Sequence, residues 1–223
     1  MEAVLQFDQV TYYYESRNQR VEILENVSFD FFPGKLYAIV GPSGSGKTTS
    51  LTLAGGLEDP KSGSILYKGK NLKEIGYTAY RNQKIGFVFQ SYNLLNYLTP
   101  YQNVLSAMEI TSNVIPSKRE TSENLLLDMG ITKEQMGRNI NELSGGEQQR
   151  VAIARALATN AEILLADEPT GNLDVDTSSG IMDIFQQLAC DGRCVIVVTH
   201  SQEFAARADV VIQLKNHSFH GPF

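Results

Sequence analysis

Eight residues, Gly41-Pro42-Ser43-Gly44-Ser45-Gly46-Lys47-Thr48, constrain this chain more than any others, because Gly-x-x-x-x-Gly-Lys-Thr is the spacing that folds a backbone around phosphate. Such a loop turns several peptide N–H groups into one concavity, lets Lys47 reach the terminal phosphates and leaves the Thr48 hydroxyl for Mg²⁺. The flanks suit it. Residues 36–40 read as a short, fully buried strand, and the stretch from Thr49 to Ala54 continues as a helix. Strand, loop and helix in that order set the positive end of the helix dipole beneath the phosphates. The candidate phosphate contacts are therefore Gly41, Pro42, Ser43, Gly44, Ser45, Gly46, Lys47, Thr48 and Thr49.

A chain of 223 residues, 42% hydrophobic, has room for one large or two small domains and ample material for a core. No apolar run approaches the roughly 18 to 20 residues that cross a bilayer, and Met1-Glu2-Ala3 lacks the basic and apolar regions of a secretion signal, so a cytosolic chain is expected. A net charge of −6 argues against a broad nucleic-acid surface, which would need clustered Lys and Arg. Cys190 and Cys194 have neither redox nor zinc spacing and read as small buried or half-buried residues flanking a helix-to-strand turn. His217 and His220 fall in a polar tail, residues 216–223, expected to fray.

Residues 4–14 read as a strand, with Leu5 and Phe7, and later Tyr12 and Tyr14, each pair on one parity, residues 15–20 as a polar break, and residues 27–32 as the next strand before Pro33-Gly34. Residues 64–67 and 84–89 read as further strands, separated by a polar segment. From about 92 the pattern turns helical, with candidate helices at 101–108 and 119–129, and is read as a helical insertion. Helix 147–158, strand 163–166, helix 175–190, strand 194–198, helix 202–207 and strand 210–214 then alternate. That alternation predicts an α/β fold with a mostly parallel sheet covered on both faces.

The strand at 163–166 delivers Asp167 and Glu168 at its C-terminal end, where open α/β sheets place ligands. Asp167 is suited to hold Mg²⁺, and Glu168 to orient or deprotonate an attacking water. His200 follows strand 195–198 and Thr199, so it emerges at the same edge, within reach of a γ-phosphate. Gln90 ends Phe87-Val88-Phe89, its amide within reach of Mg²⁺ or the lytic water. Ser144, Gly145 and Gly146 open the helix at 147–158 with hydroxyl and amide donors pointing outward.

Leu143-Ser144-Gly145-Gly146-Glu147-Gln148-Gln149-Arg150 resembles the signature motif of ABC ATPases. The order matches over essentially the whole chain: an aromatic near Tyr14, the phosphate loop at 41–48, Gln90, the signature at 143–150, ILLADE at 163–168, GNLD at 171–174 and His200. The spellings GFVFQSYNLL, LTPYQNV and ADEPTGNLD are similar to the MacB, LolD and FtsE-like branch. The loop reads GKTTSL where GKSTLL is commoner, and Thr48 keeps the hydroxyl.

The resemblance implies a P-loop NTPase (RecA-like) core with a mostly parallel sheet, an N-terminal antiparallel β subdomain and a helical insertion subdomain. It implies one ABC ATPase domain over 1–223, with 1–91 and 159–223 as catalytic core and β subdomain and about 92–158 as the helical signature subdomain. ATP and Mg²⁺ are the implied cofactors, with Glu168, His200 and Gln90 catalytic and Thr48, Gln90 and Asp167 at the metal. Tyr14, with Tyr12 and Tyr13 as neighbouring alternatives, stacks on adenine in this reading. Ser144, Gly145, Gly146 and Glu147 meet the γ-phosphate held by a second copy, with Asn172, Leu173 and Asp174 at that dimer contact. Gln90 and residues 91–101 resemble the part that receives the permease's coupling helix. The implied partner is a separate transmembrane permease on the inner face of the cell membrane, and no nucleic acid is expected. The implied work is export or extraction of a hydrophobic or peptide-like substrate, with FtsE-like mechanical signalling as the alternative. A soluble ABC ATPase of DNA repair or translation would need a long coiled coil, tandem cassettes or a basic surface, and the sequence has none. A small-molecule P-loop kinase leaves LSGGEQQR and His200 unexplained.

Overall fold

The computed structural model describes residues 2–16 and 19–221. Strands β1 (Leu5–Ser16) and β2 (Gln19–Phe31) form a long antiparallel hairpin, and β3 (Lys35–Val40) leads into the phosphate loop and helix α1 (Lys47–Ala54). Next come β4 (Ser62–Tyr67), β5 (Lys70–Asn71), helices α2 (Leu72–Ile75) and α3 (Tyr77–Lys84), and β6 (Ile85–Val88). A helical stretch follows, with α4 (Pro100–Ile110), α5 (Lys118–Asp128), α6 (Lys133–Met136) and α7 (Gly145–Leu157). The chain then alternates β7 (Ile163–Asp167), α8 (Val175–Cys190), β8 (Cys194–Val198), α9 (Gln202–Ala206) and β9 (Val210–Lys215), and closes with β10 (Ser218–His220).

Two sheets result. One is antiparallel, ordered β2-β1-β4-β5, and the other is ordered β10-β9-β3-β8-β7-β6 with all but β10 parallel. The near-continuous apolar runs of the parallel strands follow from burial on both faces. Tyr37, Ile39, Leu165, Ile196 and Val198 face α1 and the antiparallel sheet, while Leu36, Leu164, Val195 and Val197 face Phe185 of α8 and Phe204 of α9. The helical stretch has its own core of Val104, Met108, Leu126, Ile131 and Ile140. Helix α7 belongs to both: Val151 and Ala154 pack into the helical core, Ile153 and Leu157 beneath the parallel sheet. Among the described residues no helix is long and apolar enough to cross a membrane.

The fold departs from the sequence expectations at several points. The break expected at 15–20 is largely strand, for Tyr14 pairs with Val21 and Glu15 with Arg20; residues 17 and 18 lie outside the described residues. Leu5 and Phe7 fall on one parity and Tyr12 and Tyr14 on the other, and a bulge between Phe7 and Val10, where Gln9 takes a left-handed φ of 50°, brings Phe7 and Tyr12 into the same core. The polar segment before β6 folds as α2 and α3, the former capped by the Asn71 side chain. Residues 216–220 do not fray, and residues 222 and 223 lie outside the described residues. Asn216 and His217, both at positive φ, turn the chain so that β10 pairs with β9, and the Phe219 ring packs 5.7 Å from that of Phe7 and 6.0 Å from that of Phe29. Cys194 is buried as expected, but Cys190 is exposed.

Phe185, fully buried against Phe204 with ring centroids 5.9 Å apart, ties α8 to the parallel sheet that positions the strand ends. Phe185→Ala is expected to destabilise the fold by about 3 to 5 kcal/mol, read as a lowered urea midpoint at unchanged slope.

Candidate active site

Parallel register brings the working residues together. Ile39 pairs with Val198 and Asp167 with Val198, so β3, β7 and β8 end level. Backbone bonds stitch the ends, Glu168 N donating to Val198 O at 2.9 Å and Thr199 N to Ile39 O at 3.2 Å. The phosphate loop leaves β3 here. Gly46 sits at φ 101° as the N-cap of α1, and a Cβ there would meet the Ile23 side chain at 2.4 Å. Gly41 is excluded from substitution differently: its Cβ would fall 2.6 Å from the Leu214 carbonyl oxygen. These two positions accept only glycine.

The side chain of Lys47 is buried, its Nζ donating to the carbonyls of Gly41 and Pro42 at 3.0 Å each and lying 3.2 Å from His200 Nε2. Burial pushes the Lys47 ammonium below its ordinary pKa, and the charges of Glu168 and Asp167 oppose the shift. Burial likewise raises the Asp167 carboxyl, against the Thr48 hydrogen bond and the Lys47 charge. Glu168 has a left-handed φ of 48°, a conformation that costs about 1 to 3 kcal/mol in a non-glycine residue. It aims the carboxylate at His200: Oε2 accepts from His200 N at 3.2 Å, and Oε1 lies 3.3 Å from Nε2. Thr48 and Asp167 both line the cleft with oxygens, the donor type a hard ion such as Mg²⁺ prefers.

Of the three tyrosines, Tyr14 alone lines the cleft, about half exposed, with its hydroxyl 3.4 Å from Thr49 Oγ1. Tyr12 is buried, and Tyr13 lies under the Arg20 guanidinium at 3.8 Å. The cleft, about 650 Å³, gathers Tyr14, Ser43, Gly44, Gly46, Lys47, Thr48, Thr49, Gln90, Asp167, Glu168 and His200. It also includes Ile23 and Gly171, which the sequence reading missed; the alternating 21–24 run on β2 was the available signal for Ile23. Gly41, Pro42 and Ser45 shape the loop without lining the cleft, the Ser45 hydroxyl being buried without a partner. A second cavity of about 690 Å³ opens at the other ends of the strands, where Lys68 and Lys84 neutralise Glu162, and holds none of these groups.

Ser144, Gly145, Gly146, Glu147 and Asp174 lie elsewhere, at the N-termini of α7 and α8. Ser144 caps α7 in a reciprocal box: its Oγ accepts from Glu147 N at 3.3 Å while its own N donates to Glu147 Oε2 at 2.7 Å. The Ser144 bonds hold the Glu147 carboxyl below its ordinary pKa, so this side chain, expected at the nucleotide, serves in one chain as a helix cap. Asp174 caps α8 through Thr177. A Cβ on Gly146 would meet the Thr177 methyl at 2.3 Å, which is how closely the two helix ends approach. One chain therefore carries two separate patches, the Lys47 cleft and the Ser144 surface.

A phosphate loop at the C-terminal edge of a parallel sheet, flanked by strand-end carboxylates and an arm bearing a serine-capped helix, defines a nucleotide-hydrolysing ATP-binding cassette. The chain belongs to the ABC transporter family, whose sequence profile matches residues 24–171. It is 47% identical to the uncharacterized ABC transporter ATP-binding protein YclH of Bacillus subtilis, over 97% of this chain and 96% of that one. It is 39% identical to the lipoprotein-releasing system ATP-binding protein LolD of Pseudomonas syringae pv. tomato, over 91% and 90% respectively. It is also 39% identical to the macrolide export ATP-binding/permease protein MacB of Hyphomonas neptunium, over 96% of this chain but 33% of that protein. Among solved structures, the dimeric ATP-binding cassette MJ0796 bound to ADP and Pi superposes with a TM-score of 0.87 at 35% identity, covering 97% of both chains. The chain is the ATP-binding subunit of an ABC transporter, an ATPase with a P-loop NTPase fold.

The raised Asp167 pKa makes this site a local cost to the fold at neutral pH, because the native state holds an ionised carboxylate that it would rather protonate. The cost is present above the folded pKa and vanishes as pH falls through it toward the unfolded value of about 3.9. Asp167→Asn is expected to melt higher than the unaltered chain at pH 8, with the advantage shrinking toward pH 4. A lower melting temperature for the variant at pH 8 would show the carboxylate to be stabilising.

Proposed function

We propose that two copies of this chain close head to tail around two ATP molecules, that hydrolysis reopens them, and that the cycle drives a separate membrane permease. The separation of the Lys47 cleft from the Ser144 surface carries this reading. Each patch has half of what a γ-phosphate needs, and a second copy turned through two-fold symmetry supplies the other half to both sites at once. The dimeric form of MJ0796 supports it.

Within one site the loop amides, the N-terminus of α1 and Lys47 hold the phosphates, and Tyr14 stacks on adenine. Mg²⁺, when bound to the oxygens of Thr48, Gln90 and Asp167, supplies charge neutralisation along the phosphates. Glu168 takes the proton of the attacking water, its carboxylate held in place by the His200 backbone N–H. The His200 side chain, half-exposed at the cleft rim, contacts the γ-phosphate. Residues 1–91 and 159–223 form the catalytic core with its β subdomain, and residues about 92–158 the arm that presents the signature to the opposite copy.

The permease contact lies on residues 91–101, which begin at Gln90's own loop and so adjoin the phosphate end of the cleft. The complex works at the cytoplasmic face of the membrane. Relatives named for macrolide export and for lipoprotein release support export or extraction of a hydrophobic or peptide-like substrate.

Glu168→Gln is expected to keep ATP binding, slow turnover by about 10²-fold or more and accumulate an ATP-bound dimer detectable by sedimentation; near-normal turnover would remove Glu168 as the base. Mixed dimers pairing Ser144→Ala with Lys47→Ala chains are expected to recover one working site of two. Full activity of monomers at limiting dilution would refute the shared site.

A further inference from the structure

Tyr14 hangs from the strand β1 over the cleft, and two side-chain ties connect that strand to the phosphate-loop helix. The first joins the start of α1, where the Tyr14 hydroxyl lies 3.4 Å from Thr49 Oγ1. The second joins the turn just after α1, where the Tyr12 hydroxyl donates to Glu58 Oε2 at 3.1 Å. Glu58 is itself folded back on the helix, its backbone N–H and that of Leu57 both donating to the Thr52 carbonyl. The Tyr12 ring meets the Tyr14 ring edge to face, centroids 5.2 Å apart and planes at 88°. Burial and the neighbouring Glu58 hold the Tyr12 hydroxyl protonated, so it remains a donor across the working pH range.

We propose that Tyr12 and Glu58 are positioning residues for the nucleotide base: they fix the Tyr14 ring at a set distance from the phosphate loop, so that base and phosphates are gripped together. The proposal rests on the reading that Tyr14 stacks on adenine. A half-exposed ring free to change rotamer would lose part of its stacking energy to the entropy of being ordered on binding, whereas a ring already wedged against Tyr12 and tethered to Thr49 does not. The tie acts through Tyr14 alone, because neither Tyr12 nor Glu58 lines the cleft. Removing it leaves the strand in place, since the Lys61 backbone N–H still donates to the Thr11 carbonyl at 2.9 Å.

The test compares two ligands on the whole chain, magnesium ATP and magnesium tripolyphosphate, the second engaging the phosphate loop without a base. Tyr12→Phe is expected to weaken ATP by about three- to tenfold, the worth of one hydrogen bond, while tripolyphosphate affinity measured by calorimetry stays within about twofold. Glu58→Ala, at an exposed position, is expected to do the same, and Glu58→Gln, which keeps an acceptor, to restore ATP binding. ATP affinity unchanged in both Tyr12→Phe and Glu58→Ala, or ATP and tripolyphosphate weakened equally, overturns the proposal. Tyr14→Ala separates the two layers. If it leaves ATP unaffected, the stacking reading itself is wrong; if it weakens ATP selectively while Tyr12→Phe does not, only the positioning role fails.

Discussion

A parallel sheet buried on both faces leaves only its strand ends for chemistry, and everything else in this chain is arranged around that limit. The backbone N–H and C=O groups of β3, β7 and β8 are consumed within the sheet up to Ile39, Asp167 and Val198, and the apolar faces are consumed by α1, α7 and α8. What remains is the row of residues just past the last ladder bond: the phosphate loop after β3, Asp167 and Glu168 at β7, His200 after β8. Level strand ends make that row a line of side chains sharing one cleft, and a one-residue slip in register would turn Asp167 into the core.

The cleft concentrates charge where burial disfavours it. Lys47 and Asp167 shift in opposite directions, ammonium down and carboxyl up, each by loss of water and each partly rescued by the other. Mutual compensation of this kind seldom recovers the whole cost of removing ions from water. Together with the left-handed Glu168, it marks the site as a place where stability is given up for an arrangement of charge. The surrounding core, with Leu164, Leu165, Val195 and Val197 fully buried, supplies the compensation.

Legibility from sequence followed the strength of local signals. The helix at 175–190 and the strand at 194–198 were readable to the residue, because a capping Asp174, an apolar periodicity and the Gly192 turn all agree. The phosphate loop and the strand-end acids were equally plain. The β1–β2 hairpin was not, since its bulge at Gln9 resets the parity and its outer half carries charged cross-strand partners, Glu15 and Arg20, that look like a loop. The same blind spot hid Ile23, and with it the contact that makes Gly46 obligatory. Strand β10 is three residues long and owes its order to Phe219 meeting the rings of Phe7 and Phe29 at the far end of the chain, which no local pattern reports. Glu147 was legible as part of a motif, but its commitment to capping Ser144 depends on side-chain geometry.

The helix α7 joins these observations. Its outer face belongs to the helical core, its inner face to the core beneath the parallel sheet, and its first turn touches the start of α8 through Gly146 and Thr177. Arg155, near its other end, donates to the carbonyls of Tyr92 and Asn93, and Asn172 donates to the carbonyl of Gln90 at 3.2 Å. The segment after Gln90 is thus strapped to α7 on one side and to the loop before α8 on the other. Close-packed interiors transmit displacement because they cannot absorb it. A shift of Gln90 relative to the strand ends must either break those bonds or carry the start of α7, and Ser144 with it. The Lys47 cleft and the Ser144 surface are in this way parts of one mechanical unit.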